Sequence, residues 1–336
     1  MKAILCERPG ALALVERPAP EPRPGEVLVR IRRVGVCGTD FHIFKGDHPY
    51  LAYPRIIGHE LAGEVAAVGA GASLTVGQRV CVLPYLACGR CVACRRGRTN
   101  CCTRIEVLGV HRDGGLCEYL TVPEGYALPA DDISLEQAAM VEFLSIGAHG
   151  VRRSGLTAAD RVLVLGAGPI GLAVMLFAGL RGATVTAVDV RAERLAVARD
   201  GIGVAETVEA GADLAGRLAC LTDGEFFDVV FDCTSNLASM QRGLDYVAHG
   251  GTYVLLSIVP DAIAFPDPEF HKRETTLLAS RNATAEDFRT VIAALRGGQV
   301  PTATLATHRG GLAEVPSLLP VWMRPESGVI KALVEV

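Results

Sequence analysis

Residues 162–180 run for nineteen positions without a charge between Arg161 and Arg181, and this run constrains the fold more than any other stretch. On length alone it matches a transmembrane helix. Its punctuation argues against that reading. Gly166, Gly168, Pro169 and Gly171 interrupt it after four apolar residues. It therefore reads as a buried strand over 162–165, a glycine turn and a buried helix over 170–180. No membrane association is expected.

The turn has the Gly-x-Gly-x-x-Gly spacing, placed where a strand hands over to a helix. Gly166 makes the tight turn, Gly168 lets the backbone approach a pyrophosphate, and Gly171 lets helix and strand pack closely. Phosphates would sit at the positive end of the helix that Pro169 and Ile170 open. Asp189 ends the next strand, eighteen residues beyond Gly171, where its carboxylate can accept hydrogen bonds from ribose hydroxyls. A 2′-phosphate there would meet like charge, so NAD is favoured over NADP. Arg191 and Arg194 follow closely and soften that preference, with Arg194 a cofactor-binding candidate.

At 336 residues the chain is too long for one typical core and suits two domains. Half of it is hydrophobic and 21% charged, which excludes disorder and supplies material for buried sheets. A formal net charge of −4 argues against a generally basic nucleic-acid binder. The eleven cysteines are an odd number, and five crowd into residues 88–102, which does not suit a disulfide framework. Metal or catalytic use in a reducing compartment follows, so a cytoplasmic location is expected. The apolar run at the N-terminus breaks at Glu7-Arg8-Pro9, too early for a signal peptide.

Three zones separate on pattern. Residues 1–145 carry short β-like runs (27–31, 61–68, 79–82) broken by Gly and Pro, which suggests a mostly antiparallel, barrel-like unit. From Arg161, strand-like 162–165, 184–189, 228–232, 252–257 and 275–279 alternate with helical 170–180, 192–198 and 237–247. That alternation predicts a parallel α/β sheet. Thr284 then offers an N-cap before acidic Glu286 and Asp287. The strand-like run 330–336 is expected to rejoin the first zone. The domains are accordingly 1–145 with a cysteine lobe at 88–102, 146–285, and a return over 286–336.

Two cysteine constellations differ in character. Cys88, Cys91 and Cys94 with Cys102 give Cys-x-x-Cys-x-x-Cys-x7-Cys, four thiolates suited to a closed tetrahedral zinc. Cys101 adjoins Cys102 and leaves the fourth ligand open on chemistry alone. The interleaved Arg90, Arg95, Arg96 and Arg98 would also fit a nucleic-acid zinc ribbon, but a solvated loop face is the better reading. The second set is sparse: Cys37-Gly38-Thr39-Asp40-Phe41-His42, then Gly58-His59-Glu60, then Glu142 in an apolar stretch. Soft, borderline and hard donors together are typical of a catalytic zinc that keeps a position for water or substrate. A carboxylate among apolar residues needs a partner, and a metal would satisfy Glu142.

These features together resemble the zinc-dependent medium-chain dehydrogenase/reductase family of alcohol and polyol dehydrogenases. The likeness spans essentially the whole chain. It is carried by Gly35-Val36-Cys37-Gly38-Thr39-Asp40, by Gly58-His59-Glu60-Leu61-Ala62-Gly63-Glu64-Val65, by the cysteine lobe with Gly97-Arg98-Thr99-Asn100-Cys101-Cys102, and by the glycine turn. The resemblance implies a GroES-like, mostly antiparallel β-barrel catalytic domain and a doubly wound Rossmann domain. It implies one catalytic and one structural zinc, NAD, a small-molecule substrate, and a homo-oligomer, dimer or tetramer. Cys37 and His59 are then catalytic-zinc ligands, and Glu60 and Glu142 ligate the metal or hold its water. Cys102 becomes the fourth structural ligand. Thr39 matches the hydroxyl that relays the substrate proton, and His42 the outer histidine of that relay. One position departs: where the family has proline after the second carboxylate, this chain has Phe143, whose ring would reshape the pocket floor or shift Glu142.

Within the family the nearest likeness is to L-galactonate 5-dehydrogenase-type hexonate dehydrogenases. It is carried by residues 267–276 (Asp267-Pro268-Glu269-Phe270-His271 and onward), by Ser280-Arg281-Asn282-Ala283-Thr284, and by residues 107–115. It implies oxidation of a sugar-acid hydroxyl to a ketone, with gulonate-, sorbitol- and threonine-type substrates as alternatives in related branches. A hexonate carboxylate needs a cation, and Lys45, Arg112 and Arg281 are candidates, Arg being the better bidentate clamp. Two other readings stand beside this one: a zinc-free reductase of the same fold, and a non-catalytic zinc protein that binds nucleic acid or regulates.

Overall fold

An eleven-residue strand, Glu26–Val36, is the spine of the first zone. Its burial alternates through Val27, Val29 and Ile31 and becomes continuous over Val34, Gly35 and Val36, and it pairs antiparallel with Glu60–Val68, Tyr119–Pro123 and Lys331–Glu335. The register sets Gly35 opposite Glu60 and Val36 opposite Ala332. A strand's side-chain period of two makes such register strict wherever one face is buried. One end of the spine therefore gathers Cys37, which follows the strand, with the first residues of two distant strands.

The computed structural model describes residues 1–336 and resolves into two units, Met1–Phe143 with Thr284–Val336, and Leu144–Ala283. In the first, a seven-stranded sheet runs Ala127–Pro129, Arg79–Val82, Glu60–Val68, Glu26–Val36, Lys331–Glu335, Ala306–Gly311, with Tyr119–Pro123 added on the spine. The hydrogen-bonded path stays open rather than closing into a ring. A smaller antiparallel sheet of Ala11–Glu16, Lys2–Arg8 and Arg55–Ile56 accompanies it. Ile4, Val29, Ile31, Val34, Leu61 and Val334 form part of the core. The terminal run enters this sheet as Lys331–Glu335, beside the spine.

The second unit is a six-stranded sheet, parallel throughout. Its order is Glu206–Glu209, Thr184–Asp189, Arg161–Leu165, Phe227–Asp232, Val247–Leu255, Thr276–Ala279. The reversal of strand order beside Arg161–Leu165 is the doubly wound arrangement, which opens a crevice at the carboxyl ends of the strands. The charge-free run supplies the central strand and the helix Pro169–Leu180, and Gly171 to Ala178 are all buried. Burial on both sides of such a sheet explains the absence of charge without a membrane. No helix is long and apolar enough to cross a membrane.

Local differences from the sequence reading have steric or compositional causes. The edge strand Glu206–Glu209 is not among the expected strands, because glutamates bracket just two other residues. The helix expected over 237–247 ends at Arg242 and tightens into a 3-10 turn, Gly243–Tyr246. There a Cβ on Gly243 would lie 2.2 Å from the Tyr253 hydroxyl, so the segment packs more closely than a regular helix bearing side chains allows. The unit boundaries fall at Phe143 and Thr284 rather than at 145 and 285. Phe143 packs its ring 4.5 Å from Lys331 Nζ, and Thr284 caps the helix Ala285–Arg296.

Gly171 is the tightest point of the glycine turn. A Cβ there would stand 1.8 Å from the Gly166 carbonyl oxygen, a backbone atom that cannot swing aside. Gly171→Ala should therefore cost about 1–3 kcal/mol or more of stability through overpacking, read as a lower urea midpoint at unchanged slope.

Candidate active site

Cys37 precedes the short helix Gly38–Lys45 and His59 follows Gly58, whose φ of +93° only glycine adopts without strain. Donor atoms of Cys37, His59 and Glu60 all lie within 4.8 Å of one another. Buried Asp40 fixes this geometry by accepting hydrogen bonds from the Cys37 N–H at 2.9 Å and the Gly58 N–H at 3.1 Å. His59 Nδ1 lies 3.9 Å from Asp40 Oδ1 and makes no hydrogen bond. A carboxylate behind a histidine is how ligating imidazoles are commonly oriented. Burial acts to lower the His59 pKa, but the Cys37 thiol, Asp40 and Glu142 outweigh it and hold the ring well above its ordinary value.

Two carboxylates serve this group differently. Both oxygens of Glu60 accept hydrogen bonds from Lys331 Nζ, at 2.5 and 2.7 Å, and the ammonium also donates to the Val36 carbonyl at 3.2 Å. Glu142 stands outside the 4.8 Å group. Its Oε1 accepts the Tyr85 hydroxyl, and its buried Oε2 has no partner. Burial, with Glu60 nearby, raises the Glu142 pKa to about 7. Orphaned polar atoms on His59 and Glu142, and a mixed sulfur, nitrogen and oxygen donor set, fit a zinc with a position left for water or substrate. Phe143 turns its ring to Lys331, not into a position that separates Glu142 from Tyr85.

The proposed relay residues sit on the same helix. Thr39 Oγ1 is 3.8 Å from Cys37 Sγ. His42 is exposed, with its Nδ1 paired to Asp47 at 2.8 Å. Of the candidate cations, Arg112 stands 3.7 Å from Glu106, and Lys45 and Arg281 are exposed.

In the lobe, the Sγ atoms of Cys88, Cys91, Cys94 and Cys102 all lie within 4.8 Å of one another. Cys102 is buried among them and Cys101 is exposed, which distinguishes the two neighbours where spacing did not. Backbone N–H groups lower Cys91 to about 5 and Cys88 to about 7, while burial pushes Cys94 up to about 11. Cys102 Sγ further accepts the Cys88 and Arg104 backbone N–H groups, each at 3.3 Å. Four thiols and no other donor suit a closed tetrahedral zinc. Arg90, Arg95, Arg96 and Arg98 are exposed.

In the second unit, a cavity of about 650 Å³ is lined by Gly166, Gly168, Asp189, Arg191, Arg194 and Arg242, among others. Gly166 has φ +94°, and a Cβ on Gly168 would meet just the end of Arg194, at 3.4 Å. The turn is thus an open cradle at the start of the helix Pro169–Leu180, with Pro169 and Ile170 in its first turn. Asp189 accepts the Ala167 N–H at 2.7 Å and the Arg191 N–H at 2.9 Å, so its carboxylate braces the turn as well as facing the cavity. Burial, then the neighbouring Arg191, lowers the Arg194 pKa. The cavity's size and cradle fit a dinucleotide.

Three participants escaped the sequence reading: Asp40, Tyr85 and Lys331. Lys331 carried a readable signal, a single charge in the apolar run Ile330 to Val334, the same signature that marked Glu142. Tyr85 carried none, because its partner is 57 residues away.

Comparison with known proteins adds to this geometry. Residues 23–132 match the alcohol dehydrogenase GroES-like domain, and residues 169–296 match the zinc-binding dehydrogenase domain. The chain is 41% identical to the L-galactonate-5-dehydrogenase of Escherichia coli K12, over 92% of this chain and 91% of that protein. Among solved structures, it is similar to the short chain alcohol dehydrogenase RspB of Escherichia coli CFT073, complexed with NADH (TM-score 0.94, 31% identity, 100% of this chain and 99% of that one). A dehydrogenase structure from Sinorhizobium meliloti 1021, bound to NADP, is similar at TM-score 0.93 and 29% identity, covering 100% of this chain and 99% of that one.

The raised Glu142 pKa has a measurable consequence in protein stripped of metal at the Cys37 group. The folded state holds a proton on Glu142 up to about 7, while the unfolded chain releases it near 4.5. Folding then takes up a proton between those values, so stability from this group is complete below about 4.5 and is lost as pH rises through about 7. Urea melts across that range should show the decline, and Glu142→Gln should flatten it.

Proposed function

The chain belongs to the zinc-binding alcohol dehydrogenase family, and from that membership we propose that it oxidises a secondary hydroxyl of a hexonate sugar acid to the ketone, with NAD as acceptor. The gathering of Cys37, His59 and Glu60 within 4.8 Å, with the Thr39 hydroxyl beside Cys37, carries the chemistry. The 41% identity to an L-galactonate-5-dehydrogenase supports the substrate class. Asp189 at the cavity of the glycine turn supports NAD over NADP, since a 2′-phosphate would meet its carboxylate.

When bound, zinc would supply Lewis-acid polarisation of the substrate hydroxyl, and NAD would supply the hydride acceptor for its carbon. Cys37 and His59 would hold the metal, and Asp40 keeps the two segments in place through the Cys37 and Gly58 N–H groups. The proton leaves through Thr39 Oγ1 toward His42, which is exposed and braced by Asp47, and so to solvent. Substrate loses one hydride and one proton, and the carbinol carbon becomes a carbonyl. Cys88, Cys91, Cys94 and Cys102 would hold the second zinc, whose closed thiolate set leaves it structural.

One observation favours a neutral polyol instead. Arg112, the clamp candidate within the 107–115 segment, already faces Glu106 at 3.7 Å. A screen of NAD reduction over L-galactonate, L-gulonate, D-sorbitol, L-threonine and simple alcohols separates the two. Turnover on the aldonates is expected, and sorbitol as the preferred substrate with inert aldonates would transfer the assignment to the polyol class. Cys37→Ser should lower kcat/KM by roughly a thousandfold or more, corresponding to the several kcal/mol that a Lewis acid contributes.

A further inference from the structure

Asp232 is fully buried at the carboxyl end of the strand Phe227–Asp232, after the apolar run Val229, Val230 and Phe231. A carboxylate in such a place costs stability unless donors answer it. Burial raises its pKa, and hydrogen bonds from Thr234, Ser239 and Tyr253 act against that rise. Its Oδ1 accepts the Thr234 N–H at 2.9 Å and the Thr234 hydroxyl at 2.7 Å, and its Oδ2 accepts the Ser239 hydroxyl at 2.8 Å. The Thr234 hydroxyl oxygen in turn accepts the Asn236 N–H at 3.2 Å. Asn236 caps the helix Leu237–Arg242, its side chain accepting the Ser239 N–H at 3.0 Å. Between them Ser235 holds φ +52°, a left-handed conformation that a residue with a Cβ adopts at a cost, and its N–H donates to the Ser257 hydroxyl at 2.9 Å. Cys233, Thr234, Asn236 and Ser239 line the same cavity as Gly166, Gly168 and Asp189. This wall meets the glycine turn. The Cys233 N–H donates to the Leu165 carbonyl at 2.8 Å, and a Cβ on Gly166 would lie 3.1 Å from the Cys233 carbonyl.

We propose that Asp232 is a positioning residue for dinucleotide binding. It has no surface in the cavity, and it acts through Thr234 and Ser239 to fix residues 233–239 as the wall beside the glycine turn. Asp189 and Asp232 end the two strands that flank the central strand Arg161–Leu165. Asp189 braces the turn through the Ala167 N–H, and Asp232 braces the wall. An apolar residue at 232 would fill the core equally well. It would release the Thr234 and Ser239 hydroxyls, and the dinucleotide would then have to order the wall as it binds. The inference rests on the reading of this cavity as the dinucleotide site.

Calorimetric titration of NAD and of NADP into the full chain tests it, with kcat at saturating cofactor measured beside it on the preferred alcohol. Saturable binding to the wild-type chain is required first, and its absence would overturn the dinucleotide reading and this inference together. Asp232→Ala should raise Kd about 10- to 100-fold, and Thr234→Val or Ser239→Ala about 3- to 10-fold, the scale of hydrogen bonds to a carboxylate. In all three, kcat at saturating cofactor and KM for the alcohol should stay within about twofold of wild type. Asp232→Ala/Ser239→Ala should bind no more weakly than Asp232→Ala alone, because the hydroxyl acts through the carboxylate. Losses that multiply in the double variant would mean that Ser239 holds the cofactor itself, and would overturn the inference. Wild-type affinity in Asp232→Ala would overturn it too, as would a kcat that falls as far as the affinity. Each of these results leaves the dinucleotide reading intact, since the wild-type chain still binds. Should Asp232→Ala fail to fold, Thr234→Val and Ser239→Ala decide through the same split between Kd and kcat.

Discussion

Asp40, Glu60, Glu142 and Lys331 are all buried at one end of the spine strand, around His59. Taking an ion out of water costs several kcal/mol, and the fold tolerates the group because each charge has a specific answer. Asp40 takes two backbone N–H groups, Glu60 takes Lys331, and Glu142 takes the Tyr85 hydroxyl and a raised pKa. The account does not balance within the chain alone. Three carboxylates and the Cys37 thiol face one ammonium and one imidazole, and two buried polar atoms have no partner. An excess of negative donors around orphaned atoms is the electrostatic form of a cation site.

That concentration is possible because backbone pairing delivers the groups. The spine's register sets Gly35 against Glu60 and Val36 against Ala332, so Lys331 arrives beside a carboxylate 271 positions earlier in the chain. Gly35 makes room for the Glu60 side chain, and Gly58 turns His59 inward. In the second unit the same economy of glycine applies. Gly166 supplies a left-handed turn, and Gly171 lets the helix sit on the strand that precedes it.

Much of both sites was legible beforehand, because their chemistry is local. The Cys-x-x-Cys-x-x-Cys run and the glycine spacing are patterns within a few residues, and the fold keeps them together whatever the rest of the chain does. Glu142 was legible for another reason: a carboxylate in apolar sequence demands a partner. Lys331 met the same criterion, yet no local pattern named its partner. Spacing alone left Cys101 and Cys102 open and the family resemblance named Cys102; in the structure these adjacent residues differ entirely in burial. The strand Glu206–Glu209 lacked the apolar alternation that marks others, because an edge position tolerates charge.

The alternation of strands and helices after Arg161, the glycine turn, the four-thiol lobe and the Cys37 and His59 motifs were legible in the sequence alone, since each follows from short-range periodicity or spacing. Tertiary structure decided which carboxylate is paired and which is left open, that Tyr85 and Asp40 brace the site, and that Phe143 faces an ammonium. Those outcomes depend on which strands lie side by side and in what register. Hydrogen bonding across a sheet sets that over separations of up to hundreds of residues, where no local pattern records it.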